Sequence, residues 1–252
     1  MDLTLLATLN QERRARRAVI RVTDLATGAE RVVKEADLGA SDPLADHLFA
    51  AFRSAKSAMV ESADGGRHFL TVHVPPPRLV MIGAVHISQA LGPMARIAGF
   101  DPIVIDPRTA FATPERFDGV TLFPEWPEAV VPSRLAFDGY TALVAVTHDP
   151  KVDDWPILAA LNAGAFYVGA LGSRKTHAKR VERLRAAGAA ADAIARIAAP
   201  IGLDIAAQSP AEIAVAVLAQ VIQALRRRPA DLVPGRAGGS DRATEPTEAT
   251  AP

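Results

Sequence analysis

The sequence predicts an α/β protein: a parallel sheet with crossover helices, preceded by a smaller α+β unit. Three observations carry that reading. From Leu79 onward, short apolar runs rich in β-branched or aromatic residues alternate with longer amphipathic ones, as a parallel sheet buried on both faces requires. Before that point the candidate strands come in pairs around turn residues. Between the two stretches lies "HVPPPR", whose three prolines hold the chain extended. The expected organisation is a small N-terminal α+β domain over 1–74 and a cofactor-binding domain over 75–228. A tail over 229–252, rich in Pro, Gly, Thr and charge, is expected to be disordered.

In the first domain, Leu3, Leu5, Leu6 and Leu9 mark a helix, and "RAVIRV" and "ERVVK" flank a Thr27-Gly28 turn as hairpin strands. A helix near Asp46–Lys56 is followed by "SAMVE" and "RHFLTVHV" on either side of Asp64-Gly65-Gly66. In the second domain the strands are "LVMI", "PIVID", "VTLF", "ALVAV" and "FYVGAL". Helices are expected over Ile87–Ala98, Trp155–Ala163, Thr176–Ala187 and Pro210–Arg228. The last opens with Ser209 as N-cap, Pro210 at the first helical position and Glu212 as the partner in a capping box.

Composition narrows the function classes. The 252 residues are 49% hydrophobic, and 28 Lys and Arg cancel 28 Asp and Glu, so no global charge draws the chain to nucleic acid or an anionic membrane. The run Arg13-Arg14-Ala15-Arg16-Arg17 reads as the solvated end of a helix. No apolar stretch is long enough for a bilayer span, and zero cysteines exclude disulfides, thiolate zinc sites and a persulfide relay through this chain. A cytoplasmic location is expected.

Ligands of open α/β sheets bind outside the carboxyl ends of the strands, near the point where strand order reverses. That rule selects four loops: Gly83-Ala84-Val85-His86, Asp106-Pro107-Arg108, Thr147-His148-Asp149 and Gly169 to Lys175. The first opens like the G-x-G-x-x-G turn of a Rossmann unit, yet Val85 and Ser88 stand where its second and third glycines would be. Asp106 ends the second strand, where such units place the acid that binds a ribose diol; a strand-end turn with Pro107 is the alternative, and the placement favours the ligand only by a small margin because the glycine pattern is incomplete. In "GALGSRKTHAKR", Gly169 and Gly172 precede Ser173 at a helix start, and Arg174 and Lys175 add positive charge, which makes an anion site. An ordinary capped surface helix carries the same residues. His148 and Asp149 are candidates for an acid/base pair or for organising their own loop, and Asp204 in "PIGLDI" is placed toward the same cleft. His86 and His177 fall near these loops, but no i, i+4 histidine pair supports a metal, and none is expected.

From about Pro75 to Arg228 the chain resembles the Rossmann domain of the XdhC/CoxI family, the accessory proteins that mature molybdenum-containing xanthine and carbon monoxide dehydrogenases. The segments "PPPRLVMIGAVHISQAL", "IDPRTAFATPERF", "VTHDPKVDD", "GALGSRKTHAKR" and "PIGLDIAAQSPAEIA" stand in the family's order. The resemblance implies a Rossmann-like parallel sheet that binds the molybdenum cofactor (molybdopterin), protects it until sulfuration, and delivers it to an apo-molybdoenzyme. This is an insertion chaperone more than an enzyme. Under it, Gly169, Gly172, Ser173, Arg174 and Lys175 hold the pterin phosphate; Gly83, Val85, His86, Asp106 and Arg108 line the pocket; His148, Asp149 and Asp204 approach the pterin. Many relatives have glycine at Val85 and a longer N-terminal domain with a Gly-Gly-Cys segment that this cysteine-free chain lacks, so sulfur transfer by the chain itself is not expected, and a sulfurtransferase is a candidate partner. A homodimer is compatible with this reading. The alternative is an NAD(P)-dependent oxidoreductase with Asp106 on the ribose and His148 as acid/base, and a partner subunit with a vestigial pocket would bind neither.

Overall fold

The computed structural model describes residues 2–228, so the tail expected to be disordered lies outside the described residues. The chain begins with α1 (Leu3–Arg14) and the hairpin β1 (Val19–Asp24) and β2 (Glu30–Lys34). Then come α2 (Ala45–Ser54), β3 (Ala58–Glu61) and β4 (Arg67–His73). The four strands form one antiparallel sheet in the order β2-β1-β4-β3. Its core packs Ile20, Val22 and Leu70 from the strands against Leu48 and Phe52 of α2. Of the four leucines that marked α1, Leu9 is buried, while Leu3 is 80% and Leu6 37% exposed, so the apolar face of this helix is only partly covered.

After Val74–Pro77 the parallel sheet begins. Its strands are β5 (Arg78–Ile82), β6 (Asp101–Ile105), β7 (Thr121–Phe123), β8 (Thr141–Ala145), β9 (Tyr167–Ala170) and β10 (Ile197–Ala198). They lie in the order β10-β9-β8-β5-β6-β7, all parallel. The helices are α3 (His86–Ile97), α4 (Pro127–Val130), α5 (Pro150–Asn162), α6 (Arg174–Ala186), α7 (Ala191–Ala195) and α8 (Pro210–Arg226). Alternation along β5 shows how both faces are covered: Leu79 and Met81 pack in one core with Leu91 and Val217, Val80 and Ile82 in the other with Ile157 and Leu184. Strand order reverses between β5 and β8, so their carboxyl ends flank a crevice.

Two helix starts differ from expectation by two residues or more, for local reasons. Helix α5 starts at Pro150 instead of Trp155, because Asp149 caps it: the Asp149 Oδ1 accepts from the Lys151 N–H at 2.9 Å, and Pro150 takes the first helical position. Helix α6 starts at Arg174, two residues early, on the cap made by Ser173. The short β10 and α7 carry too few residues to show a period, and the sequence pattern does not reveal them.

The arginine run is more than a solvated helix end. Arg17 pairs with the buried Glu12 at 2.5 Å, and Arg16, at φ +53°, pairs with Asp138 at 2.8 Å and donates to the Pro76 carbonyl at 2.9 Å. Arg16 thus ties the first sheet to the linker and to the parallel-sheet unit. Tyr140 reinforces the joint: its ring packs in the core of the antiparallel sheet, and its hydroxyl donates to Glu35 at 2.9 Å.

The capping box at Ser209 is complete, with the Ser209 hydroxyl accepting from the Glu212 N–H and the Glu212 carboxylate accepting from the Ser209 N–H. Ser209→Ala is expected to destabilise the protein by about 1 kcal/mol, read as a shift in the urea midpoint without a change in slope.

Candidate functional site

The crevice is built first by Gly83. Its φ of +119° is a conformation that side chains rarely adopt, and a Cβ there would stand 2.7 Å from the Thr147 methyl, so only glycine lets the loops after β5 and β8 approach. The Gly83 N–H donates to Ile105 at 2.9 Å, and the Ser88 hydroxyl donates back to the Gly83 carbonyl at 2.6 Å. The next N–H, of Ala84, donates to Asp106 Oδ2 at 2.6 Å. Val85 then serves as N-cap of α3 with no side-chain bond to the first turn, while its half-buried side chain packs on the core beneath α3. His86 is exposed at the first helical position.

Asp106 has no solvent exposure. Besides Ala84, it accepts from the Arg108 N–H at 2.9 Å and from the Arg108 guanidinium at 3.0 Å (Nε) and 2.7 Å (Nη2). Burial pushes the carboxyl up, but the hydrogen bonds from Arg108 and Ala84 and the Arg108 charge together hold it below the usual carboxylate range. Its oxygens are therefore engaged inside the protein, and the expected contact with a ligand's hydroxyls gives way to a clamp between two loops. Arg108 remains partly exposed, its Nη1 has no hydrogen bond among the described residues, and it lies 5.1 Å from the centroid of the Phe111 ring. Phe111 is 48% exposed and its carbonyl accepts from Arg116, which also donates to Gln89 of α3 at 2.8 Å. An aromatic face is thus fixed beside the cation.

On the other side, Thr147 donates to Asp153 Oδ1 at 2.7 Å, and the His148 N–H donates to Asp153 Oδ2 at 3.1 Å. His148 holds φ +66° and an exposed side chain. Asp153, 1% exposed, is pushed up to about 6 by burial, against the hydrogen bond from Thr147 and the charge of Arg180 3.9 Å away. Arg180, 2% exposed, donates to the Leu171 carbonyl at 3.1 Å, so one polar pair joins the loops after β8 and β9. His177 is held below the usual histidine range by burial and by the Arg180 charge.

The structure therefore brings Gly83, Val85, His86, Asp106, Arg108, His148 and Asp149 to neighbouring loops, because β6, β5 and β8 are adjacent. Asp149 and Asp153 both lie close enough to raise the Arg108 pKa, after the larger effect of Asp106. Gly169 sits inside β9, where a Cβ would meet the Tyr167 hydroxyl at 2.5 Å and Ile201 at 2.7 Å, so it makes room for packing. Gly172, at φ +132°, turns the chain into Ser173, whose hydroxyl accepts from the Thr176 N–H at 3.2 Å; Arg174 and Lys175 are exposed beside it. Asp204 is exposed on its loop, and its hydrogen bond among the described residues is a long one from the Ala206 N–H, 3.4 Å. Sequence reasoning placed Thr147 in the loop after β8 without giving it a role, and it missed Phe111, Asp153 and Arg180. Asp153 was legible within "VTHDPKVDD" as a second acid one helical turn after the cap.

Three helices of five or more residues start at this edge after β5, β8 and β9, and their caps differ. Helix α5 has Asp149 and α6 has Ser173 on a first-turn N–H, whereas α3 has no capping side chain. The free N–H groups of α3 carry about half a positive charge toward the crevice, next to Arg108. Among the described residues no group of three or more His, Asp or Glu lies together as a metal site would require. No described helix is long and apolar enough to cross a membrane.

Residues 79–221 match the family model described as the XdhC Rossmann domain. The chain is 30% identical over 210 residues to uncharacterized protein YqeB of Escherichia coli K12, covering 81% of this chain and 38% of that protein. It is 34% identical over 154 residues to a probable xanthine dehydrogenase subunit of Bacillus subtilis 168, covering 61% and 44%. It is 30% identical over 147 residues to the molybdenum cofactor insertion chaperone PaoD of Escherichia coli K12, covering 58% and 40%. The chain thus spans about two fifths of the length of these relatives. The crystal structure of a xanthine dehydrogenase from Bacillus halodurans superposes with a TM-score of 0.59 at 22% identity, covering 91% of this chain and 67% of that one, a likeness of fold.

Because Asp153 has a raised folded pKa, the stability it contributes is full below its unfolded value near 3.8 and is lost as pH rises through about 6, a component of about 3 kcal/mol. Asp153→Asn is expected to remove this component, so wild type should lose stability relative to the variant between pH 4.5 and pH 7.5. Parallel urea titrations at the two pH values measure it.

Proposed function

The chain belongs to the XdhC family, and on that premise we propose that it binds the molybdenum cofactor and hands it to an apo-molybdoenzyme of the xanthine or carbon monoxide dehydrogenase type. The likeness to a probable xanthine dehydrogenase subunit and to the insertion chaperone PaoD supports the cofactor-maturation part of this reading. The single observation that carries the binding part is the open N-terminus of α3 at the crevice, with the Arg108 guanidinium beside it. An anion is the ligand such a set of donors receives.

The donor set fits a pterin phosphate. The first-turn N–H groups of α3 and the Arg108 guanidinium would hold the phosphate, with Arg174 and Lys175 adding positive charge two strands away. Phe111 offers a ring face, and His86 and His148 present exposed imidazoles at the mouth. The bound group supplies the molybdenum centre that the target enzyme needs; this chain's part is to hold and shield it. With no cysteine in the chain, any sulfuration step belongs to a separate sulfurtransferase.

The oxidoreductase reading has the strand order of a dinucleotide-binding sheet in its favour. It also requires a free acid at the end of β6, and Asp106 is committed to Ala84 and Arg108. Calorimetric titration of the purified chain with molybdenum cofactor and with NAD(P) separates the two: binding of cofactor with little affinity for nucleotide is expected, and the reverse order overturns the proposal.

Val85→Asp places a capping carboxylate on the open first turn of α3. Helix stability should change by no more than about 1 kcal/mol, since a gained cap offsets lost packing. Cofactor affinity should fall about tenfold or more, because the carboxylate occupies and repels at the phosphate position. Unchanged affinity in the folded variant would move the phosphate away from α3.

A further inference from the structure

A second cavity lies at the opposite edge of the parallel sheet. It is an open cleft of about 590 Å3 where the two sheet units meet, with Pro77, Phe100 and Tyr140, the residues leading into β5, β6 and β8, on its wall. That volume is within the range of small-molecule sites, which favour domain interfaces. The walls are also fixed: Arg16 pairs with Asp138 across the joint, and Arg228 pairs with Glu35 at 3.3 Å while lying 4.4 Å from the centroid of the Tyr140 ring. The space is therefore held open by contacts that do not depend on a ligand.

The lining states what would fill it. Helix α2 presents Asp46, Phe49, Ala50 and Arg53 to the cavity, the spacing of one helical face, and Phe52 and Phe100 add further ring surface. Polar groups deeper in the wall are already matched, because Glu35 takes both the Tyr140 hydroxyl and Arg228. Of the remaining charges, Arg53 and Arg226 are exposed and make no hydrogen bond or ion pair among the described residues, and they face a single such acid, Asp46. Two free guanidinium groups against one carboxylate, around an aromatic wall, select a ring bearing an acid group.

We infer that the cavity between α2, α8 and the amino ends of β5, β6 and β8 is a second binding site, specific for a small aromatic acid. It lies at the edge of the sheet opposite the crevice and does not rest on the cofactor assignment.

Naphthalene-2-carboxylate and its cationic counterpart, 2-naphthylmethylammonium, probe the site when titrated into the full chain by calorimetry. The carboxylate is expected to bind and the cation to bind more weakly. Arg53→Gln combined with Arg226→Gln should weaken the carboxylate about tenfold, while the titration with molybdenum cofactor is unchanged. Ala50→Trp, at an exposed position on the wall, should fill the cavity and remove binding without lowering Tm. Equal binding of the two probes, no binding of the carboxylate, or unchanged binding in folded Ala50→Trp would each overturn the inference. A wild-type dimer that Ala50→Trp converts to a monomer in sedimentation would overturn it in favour of a second copy of the chain as the occupant.

Discussion

The carboxylate of Asp106 is the point on which the crevice depends. A fully buried negative charge is costly unless nearly every lone pair is engaged, and here four hydrogen bonds from Ala84 and Arg108 do so. The consequence is geometric. By fixing the Ala84 N–H against the end of β6, the carboxylate sets the start of α3 at the crevice, and because the same Oδ2 also accepts from Arg108 Nη2, it holds the guanidinium near that helix start. One acid therefore positions both donors that an anionic ligand would meet. The acid itself stays out of reach.

The far bank of the crevice uses the same device with weaker compensation. Asp153 is as buried as Asp106, but its partners are a hydroxyl, one backbone N–H and an arginine at 3.9 Å. Burial wins there and raises its pKa to about 6, whereas hydrogen bonding wins at Asp106. The two loops should differ in how they respond to pH: the β5 and β6 side is held by an ionised acid through the neutral range, while the β8 side changes charge around pH 6. Arg180, 3.9 Å from Asp153, also donates to the Leu171 carbonyl of the loop after β9.

Joining the two sheet units takes a different kind of contact. Tyr140 belongs to the parallel-sheet unit by sequence but to the antiparallel core by packing, and burial raises its pKa far above the ordinary value. Arg16, Glu35 and Arg228 surround this ring and the linker with ion pairs. These contacts fix the orientation of the units and leave the cavity between them open, at the edge of the sheet away from the crevice.

By itself the sequence determined the sheet and its faces. Strands such as "LVMI" and "ALVAV" are apolar throughout because both faces are covered, and the box at Ser209 is a local interaction readable within four residues. Local chemistry also marked the four loops at the carboxyl edge. What each side chain does there was decided by the tertiary structure, since burial and partners come from elements far apart in the chain. Asp106 reads as a ligand contact until Ala84, 22 residues earlier, takes its oxygen. Asp149 reads as chemistry until the helix behind it shows a cap, and Gly169 as a phosphate turn until Ile201 packs against it. The open start of α3 is likewise an absence of a capping bond, visible only once the three helix starts stand side by side at one edge. Periodicity encodes which face is buried; only the fold sets which donors are left unpaired.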